Sequence, residues 1–513
     1  MLSPLRFEAE PPVQPPAPNR MDVACFVGFI RLRAGASSSA LDRWLTEQGW
    51  LQTTGGLRMP YARASASAYL DVPIPIERWA VFDRLFAWDE RPMEGSDGFA
   101  TTYLGAAVRS FFAEGGRRCY VVRAGDDWPA PSAASAESEA DRAAARLARL
   151  RALVPGYPAS LSASPSDRTT WHGVGHVFGL PDVSFLCCPD LPDIVRGAAT
   201  PPDLRVSLPP VSEQFVECTS TDVVDDDDAA HRYHAPRSDD AGYDAWRRTV
   251  GIVRNALVAG RCETQFIATV PIPEPGSPVA RDLGGVLGDD VFLRATSNAA
   301  RVSSFVQLVY PWAVTRGSRG LPEGMEPSEG VLTGVLARNA LLNGTFHSAA
   351  GQPLGTVDAV LPAISANESG ERVSLLGQTA RGMEVLTDVT ASETAQYRPG
   401  GIHRLISSIV RAARRVGEDA VFEASGEALW AGVRTRIEQV LLSLWNNGGL
   451  RGAKSTDAFD VRCDRSTMTQ ADLDAGRAVA TVRVDPAAPI ESITVVLALD
   501  AAGVTSLATT EAA

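Results

Sequence analysis

The six residues WHGVGH, at 171–176, hold the pair best placed to do chemistry in this chain, His172 and His176, four positions apart. On an α-helix that spacing sets two imidazoles on one face, where they can share a metal ion as in HExxH hydrolases. Gly173 and Gly175 lie between them, however, and no glutamate follows His172. Both the helix and the general base of such a site are missing, and the two read as structural histidines. A second candidate is DDDD at 225–228, with His231 and His234 just beyond. It lacks the spacing and the glycine of an EF-hand loop and reads as a solvated acidic segment. Cys187 and Cys188 are adjacent in an apolar run. Successive strand residues point to opposite faces, so the two cannot easily ligate one ion and read as core. GAKST at 452–456 places an alanine between the glycine and lysine of a phosphate-binding loop, with no apolar strand before it. EPSEG at 326–330 carries Glu326 where the nucleophile elbow needs glycine. The residues therefore predict no catalytic group, no bound metal and no cofactor. The enzyme alternative is a metal-dependent hydrolase using His172 and His176.

The whole chain narrows the class further. Its 513 residues exceed one simple core and predict several domains. With 48 basic against 61 acidic residues the net charge is −13, which argues against nucleic acid or an anionic membrane surface as the partner. No apolar run approaches the roughly 20 residues of a membrane span, so no membrane insertion is expected. The N-terminal sequence MLSPLRFEAEPPVQPPAPNR has no apolar stretch of the secretory kind. Seven scattered cysteines read as reduced core residues of a protein made in the cytoplasm.

Residues 1–20, rich in proline, read as an extended arm. Strands are expected within 21–33, 119–122, 183–189 and 306–312, and helices at 76–88, 101–114 and 136–153. In TTYLGAAVRSFFAE the apolar residues recur at three and four, and Gly115 and Gly116 then stop the helix before CYVV. Strands alternating with helices predict a parallel α/β sheet with insertions. Further on, 401–419 reads as an amphipathic helix, with Leu405, Ile409, Ala412 and Ala413 on its apolar side and Arg404, Arg411, Arg414 and Arg415 on a basic side. A second helix is expected at 426–449, a strand at 478–486, and a further strand at 492–500 with no obvious partner nearby.

The order of these pieces resembles the contractile tail sheath family of contractile-tailed phages and phage-tail-like injection systems. An apolar helix leads into GGRRCYVVR (115–123), and DVSFLCCPD (182–190) follows. VYPWAV (309–314) and EPSEGVLTGVLARNALLNG (326–344) resemble the family's "YPW" and "PPSG-x-x-AG" passage. The most specific block is VFEASGEALW (421–430) with AFDVRCDRSTMTQADLDAGR (458–477). The likeness spans most of 21–500. The family's "PGVY(V/I)EE" arm is replaced by LSPLRFEAEPPVQPP, the "GARTL" passage appears only as GQTARGMEVLT at 377–387, and 195–300 has no counterpart.

The resemblance implies an α/β (α+β), multi-domain sheath subunit with extended terminal arms. Its expected division is an N-terminal arm at 1–20, a discontinuous α/β outer domain at 21–395 with insertions at about 124–170 and 195–300, an inner C-terminal domain at 396–490, and an arm strand and tail at 491–513. The implied function is to stack helically around an inner tube in a metastable extended sheath, whose contraction drives the tube through an envelope. The implied partners are other copies of the chain, the inner tube protein, baseplate and terminator or cap proteins, and sister sheath proteins. The implied location is the bacterial cytoplasm during assembly and then a virion-like particle. Arm strands are expected at Arg6, Phe7, Glu8 and Ala9, and at Ile493, Thr494, Val495, Val496, Leu497, Ala498 and Leu499. They would add to a neighbour's sheet, for which Ala478, Val479, Ala480, Thr481, Val482, Arg483 and Val484 form the receiving strand. Arg404, Arg411, Arg414 and Arg415 are expected to face an acidic tube through weak, salt-screened pairs. The remaining alternative is a non-contractile tail or baseplate component.

Overall fold

A computed structural model describes residues 20–36, 38–54, 57–60, 69–132, 135, 137–198, 233–260, 263–274, 299–362, 371–420, 426–474, 477–487, 493–500 and 503–510. Arg6–Ala9 and the DDDD run lie outside them.

The larger body is built on an eight-stranded sheet. In chain order its strands are β1 (Val23–Phe29), β2 (Pro73–Ile76), β3 (Cys119–Gly125), β4 (Val183–Cys187), β5 (Gln265–Thr269), β6 (Val306–Tyr310), β7 (Val373–Thr379) and β8 (Gly382–Val385). In space they run β8-β7-β6-β5-β4-β1-β3-β2. The inner pairs are parallel and only the edge strands β2 and β8 are antiparallel. Parallel strands covered on both faces read as unbroken apolar runs, and β1, VACFVGF, is buried throughout. The expected α/β class is what the structure has.

Strand β5 lies in the middle of this sheet, between β4 and β6. The sequence reading had placed its residues in an insertion at 195–300. QFIAT is only five residues long and opens on a glutamine, too short and too polar at one end to stand out. With it comes a long amphipathic helix, α3 (Asp240–Ala259), capped by Asp239. It follows α1 (Tyr103–Ala113) and α2 (Glu139–Leu153) in chain order.

Helix α1 ends as expected: Gly115 has φ +106°, and the Gly116 N–H donates to the Phe111 carbonyl at 2.9 Å. On α1 packs α4 (Glu329–Leu342), which approaches through Gly330 and Gly334. A Cβ at Gly330 would lie 2.3 Å from the Ala107 carbonyl oxygen, so small residues there set the helix spacing.

Carboxylates close the carboxyl edge of the sheet. Asp190, just beyond β4, accepts from the Phe29 N–H at 2.6 Å and from the Leu104 N–H at 3.2 Å. Glu329 accepts from the Thr269 N–H at the end of β5 at 2.9 Å. Glu326 accepts from Ser110 Oγ and Thr315 Oγ1. The EPSEG segment is thus an internal brace: the Ser328 hydroxyl donates to the Pro311 carbonyl and serves no nucleophilic arrangement. Burial pushes Asp190 and Glu326 up to about 7, and Glu329 up to about 8. A raised carboxyl contributes stability that is complete below its unfolded value, near 4.5 for Glu329, and is lost as pH rises through about 8. Glu329→Gln should therefore flatten the fall in melting temperature between about pH 5 and about pH 8. Parallel melting curves for variant and wild type across that range would contradict this role.

Candidate assembly interface

The C-terminal unit begins with α5 (Gly400–Ala420), an interrupted apolar repeat on a helix long enough to span the body. Leu405, Ile409, Ala412 and Ala413 are all buried, as their spacing required. Next in the chain comes α6 (Glu427–Asn446), which packs on α5, with Trp430, Val433, Ile437 and Leu441 in the shared core. A four-stranded antiparallel sheet completes the unit: β9 (Phe459–Arg462), β10 (Ala478–Val484), β11 (Ile493–Asp500) and β12 (Gly503–Thr510), in that spatial order. Its core joins Ala480, Val482 and Val484 of β10 to Leu405, Ile409 and Leu441 of the helices.

Three of the four arginines on α5 do not form an exposed basic face. Arg404 is 3% exposed and its guanidinium pairs with the Asp388 carboxylate at 2.6 Å, while Nε donates to the Thr345 carbonyl. Burial alone would raise Asp388; the Arg404 charge and its hydrogen bonds hold it below the usual carboxylate range. Arg411 donates to the carbonyls of Arg20, Asp182, Val183 and Glu263 and to Ser184 Oγ. Arg414 is paired with both oxygens of Glu263, at 2.6 and 2.7 Å. These side chains clamp the C-terminal unit to the sheet: Arg404 is buried, Arg411 and Arg414 are half-buried, and of the four only Arg415 is exposed. The basic side of the helix was legible, but its acceptors (Glu263, Asp388 and main-chain carbonyls at the amino edge of β1 and β4) are remote in sequence. His403, on the same helix, lies between Ser304 and Ser407, with burial holding it down at about 3.

Within the single chain the expected arm strand lies on the expected receiving strand. Ile493–Leu499 pairs antiparallel with Ala478–Val484 of its own chain, in register from Ala478↔Leu499 to Val484↔Ile493. Beyond β11, β12 adds by the hairpin register Asp500↔Gly503 to Thr494↔Thr510, leaving β9 and β12 as the edges. The sequence reading took 501–513 as a tail, although AAG between two β-branched runs is a hairpin signal.

The histidine pair has a structural occupation. Residues Gly173–Gly179 form a 3-10 helix, not an α-helix. His172 Nδ1 and His176 Nε2 lie 2.6 and 3.1 Å from the two oxygens of buried Asp71, and the Gly173 N–H donates to the same carboxylate at 2.8 Å. Burial would raise Asp71, and these three hydrogen bonds hold it well below its ordinary value instead. Among the described residues no cluster of three His, Cys, Asp or Glu could hold a metal ion, and the five described cysteines are buried and free. Elemental analysis of the purified chain should give no stoichiometric zinc; one zinc per chain, lost in Asp71→Asn or His176→Asn, would restore the hydrolase reading.

No sequence-family profile matches the chain, and no curated protein sequence does either. Solved structures do match, almost end to end. A chain of the contracted-state baseplate of the anti-feeding prophage (AFP) aligns at TM-score 0.56 and 16% identity, over 96% of this chain and 97% of that one. A chain of the 6-fold symmetrised AFP baseplate aligns at TM-score 0.54 and 16% identity, over 95% and 96%. A chain of the AFP helical sheath in its contracted state aligns at TM-score 0.51 and 16% identity, over 96% and 97%. The chain has the contractile tail sheath fold. In sheath terms, the eight-stranded body and the four-stranded C-terminal unit are matched together, in one alignment covering nearly all of both chains. At 16% identity the likeness is one of fold, carried by the burial pattern and the element order.

Proposed function

We propose that this chain is the structural subunit of a contractile sheath around an inner tube, in a phage tail or phage-tail-like injection particle. The observation that carries the reading is the 96% alignment with a subunit of a contracted helical sheath. In this reading its work is mechanical. Subunits join head to tail through a heterologous interface, which builds a helix instead of a closed ring. Contraction moves them as bodies, so the links between them must survive large rotations.

Terminal strands supply such links. The pairing of β10 with β11 inside one chain is the closed form of a contact that exchanges between copies, because main-chain hydrogen bonds accept any chain in register. Arg6–Ala9 would add to an edge of a neighbour's sheet in the same way. The inner tube, baseplate, terminator and sister sheath proteins are the other partners, and Arg415 is the residue of α5 free to meet an acidic tube. Assembly takes place in the bacterial cytoplasm. No helix among the described residues is long and apolar enough to cross a membrane.

Two of the neighbours come from baseplate structures, which favours a second reading: a sheath-fold subunit confined to the first rings above a baseplate. Velocity sedimentation of the purified chain separates the two. A heavy, polydisperse species that pellets supports a general sheath subunit. A discrete ring-sized species supports the baseplate-proximal one, and a monomer at every concentration contradicts both.

A further inference from the structure

Arg20 is the first described residue, three positions ahead of β1. Its side chain is held by a two-bond pair with Asp22, at 2.6 and 2.9 Å, and Asp22 is fully buried. Its carbonyl is held from elsewhere: Arg411 Nη1 donates to it at 2.9 Å. The same guanidinium reaches the Asp182 carbonyl at 3.2 Å, Ser184 Oγ at 3.1 Å, the Val183 carbonyl at 2.8 Å and the Glu263 carbonyl at 3.1 Å. These segments enter β1, β4 and β5, three neighbouring strands of the large sheet. One side chain therefore ties the backbone at Arg20 to α5, the helix that also backs β11 and β12 at the other end of the chain.

We propose that Arg411 is the positioning residue for Arg20: it fixes the backbone just ahead of β1 relative to the C-terminal sheet, and so couples the large sheet's first strand to the last strands of the subunit. The segments it gathers belong to strands that already have ladder partners. What Arg411 adds is the seat for the carbonyl of Arg20, ahead of the first ladder residue of β1. A planar fork with five N–H groups suits such a junction of carbonyls, and a lysine, with one compact charge, does not replace it. Any consequence for assembly rests on the sheath reading.

Trypsin reads the seat directly, because the Arg20–Met21 bond is a cleavage site whose carbonyl is the one Arg411 holds. Cleavage there requires the local segment to open. In the full-length wild type this bond should be cut slowly. Arg411→Gln should release a chain beginning at Met21 at least about ten-fold faster, with Arg411→Lys in between. Arg414→Gln, which removes the pair with Glu263 and touches no contact to Arg20, should leave that rate unchanged. Equal cutting at Arg20 in wild type and Arg411→Gln would overturn the proposal. So would equal acceleration by Arg414→Gln, which would mean general loosening of the clamp. Should Arg411→Gln not fold, the Arg411→Lys and Arg414→Gln pair carries the same comparison. The assay uses the unassembled chain, so its outcome is independent of the sheath reading.

Discussion

Arg404→Met should lower the stability of the chain by about 3–5 kcal/mol, the range for removing one partner of a buried pair. The mechanism lies in what remains. Asp388 is buried, and besides Arg404 it accepts from Gln307 Nε2 at 2.9 Å and from the Ala349 N–H at 2.8 Å. Without the guanidinium its charge has no counter-ion, and the Thr345 carbonyl loses its Nε donor. The double variant Arg404→Met with Asp388→Leu should recover a good part of the loss, since burying neither charge costs less than burying one. Chemical denaturation with a double-mutant cycle measures this. A single-variant loss below about 1 kcal/mol, the range of exposed pairs, would return Arg404 to the surface role its sequence pattern suggested.

Ending the chain after Ala487 should abolish assembly and destabilise the C-terminal unit. Strand β10 would lose the partner along all seven of its residues. At about 0.2–1 kcal/mol for each cross-strand pair, the loss is roughly 1–7 kcal/mol. It would also become an open edge with Ala478, Ala480, Val482 and Val484 buried on one face, a template for unwanted pairing. Adding a peptide of residues 491–513 should restore the melting transition, because the socket reads backbone and does not require a covalent link. A truncated chain that still assembles would remove β11 from the interface altogether. A truncated chain that the peptide cannot rescue would confine β11 to its own subunit.

The α/β class was readable because parallel strands announce themselves. VACFVGF, CYVVRAG and VSFLC are short apolar runs flanked by helices of clear period. Strand β5 was not, for it is short and follows a long polar stretch. The clamp shows the limit more sharply. Helical spacing put Arg404, Arg411 and Arg414 on one side of α5, and that is where they are. Spacing alone could not say whether that side meets water, a partner or the chain's own sheet. The answer depends on Glu263, Asp388 and Arg20, which lie between 16 and 391 positions away. The histidine pair is not on an α-helix, as its glycines implied, but the carboxylate that holds it, Asp71, could not be found from spacing.

The central claim, that this chain is a contractile sheath subunit, is tested most directly by negative-stain electron microscopy of the protein expressed alone. The account predicts long, hollow, helically striated cylinders, with self-sufficient interfaces between copies. Small particles of uniform size, unchanged when the inner tube protein is added, would contradict it.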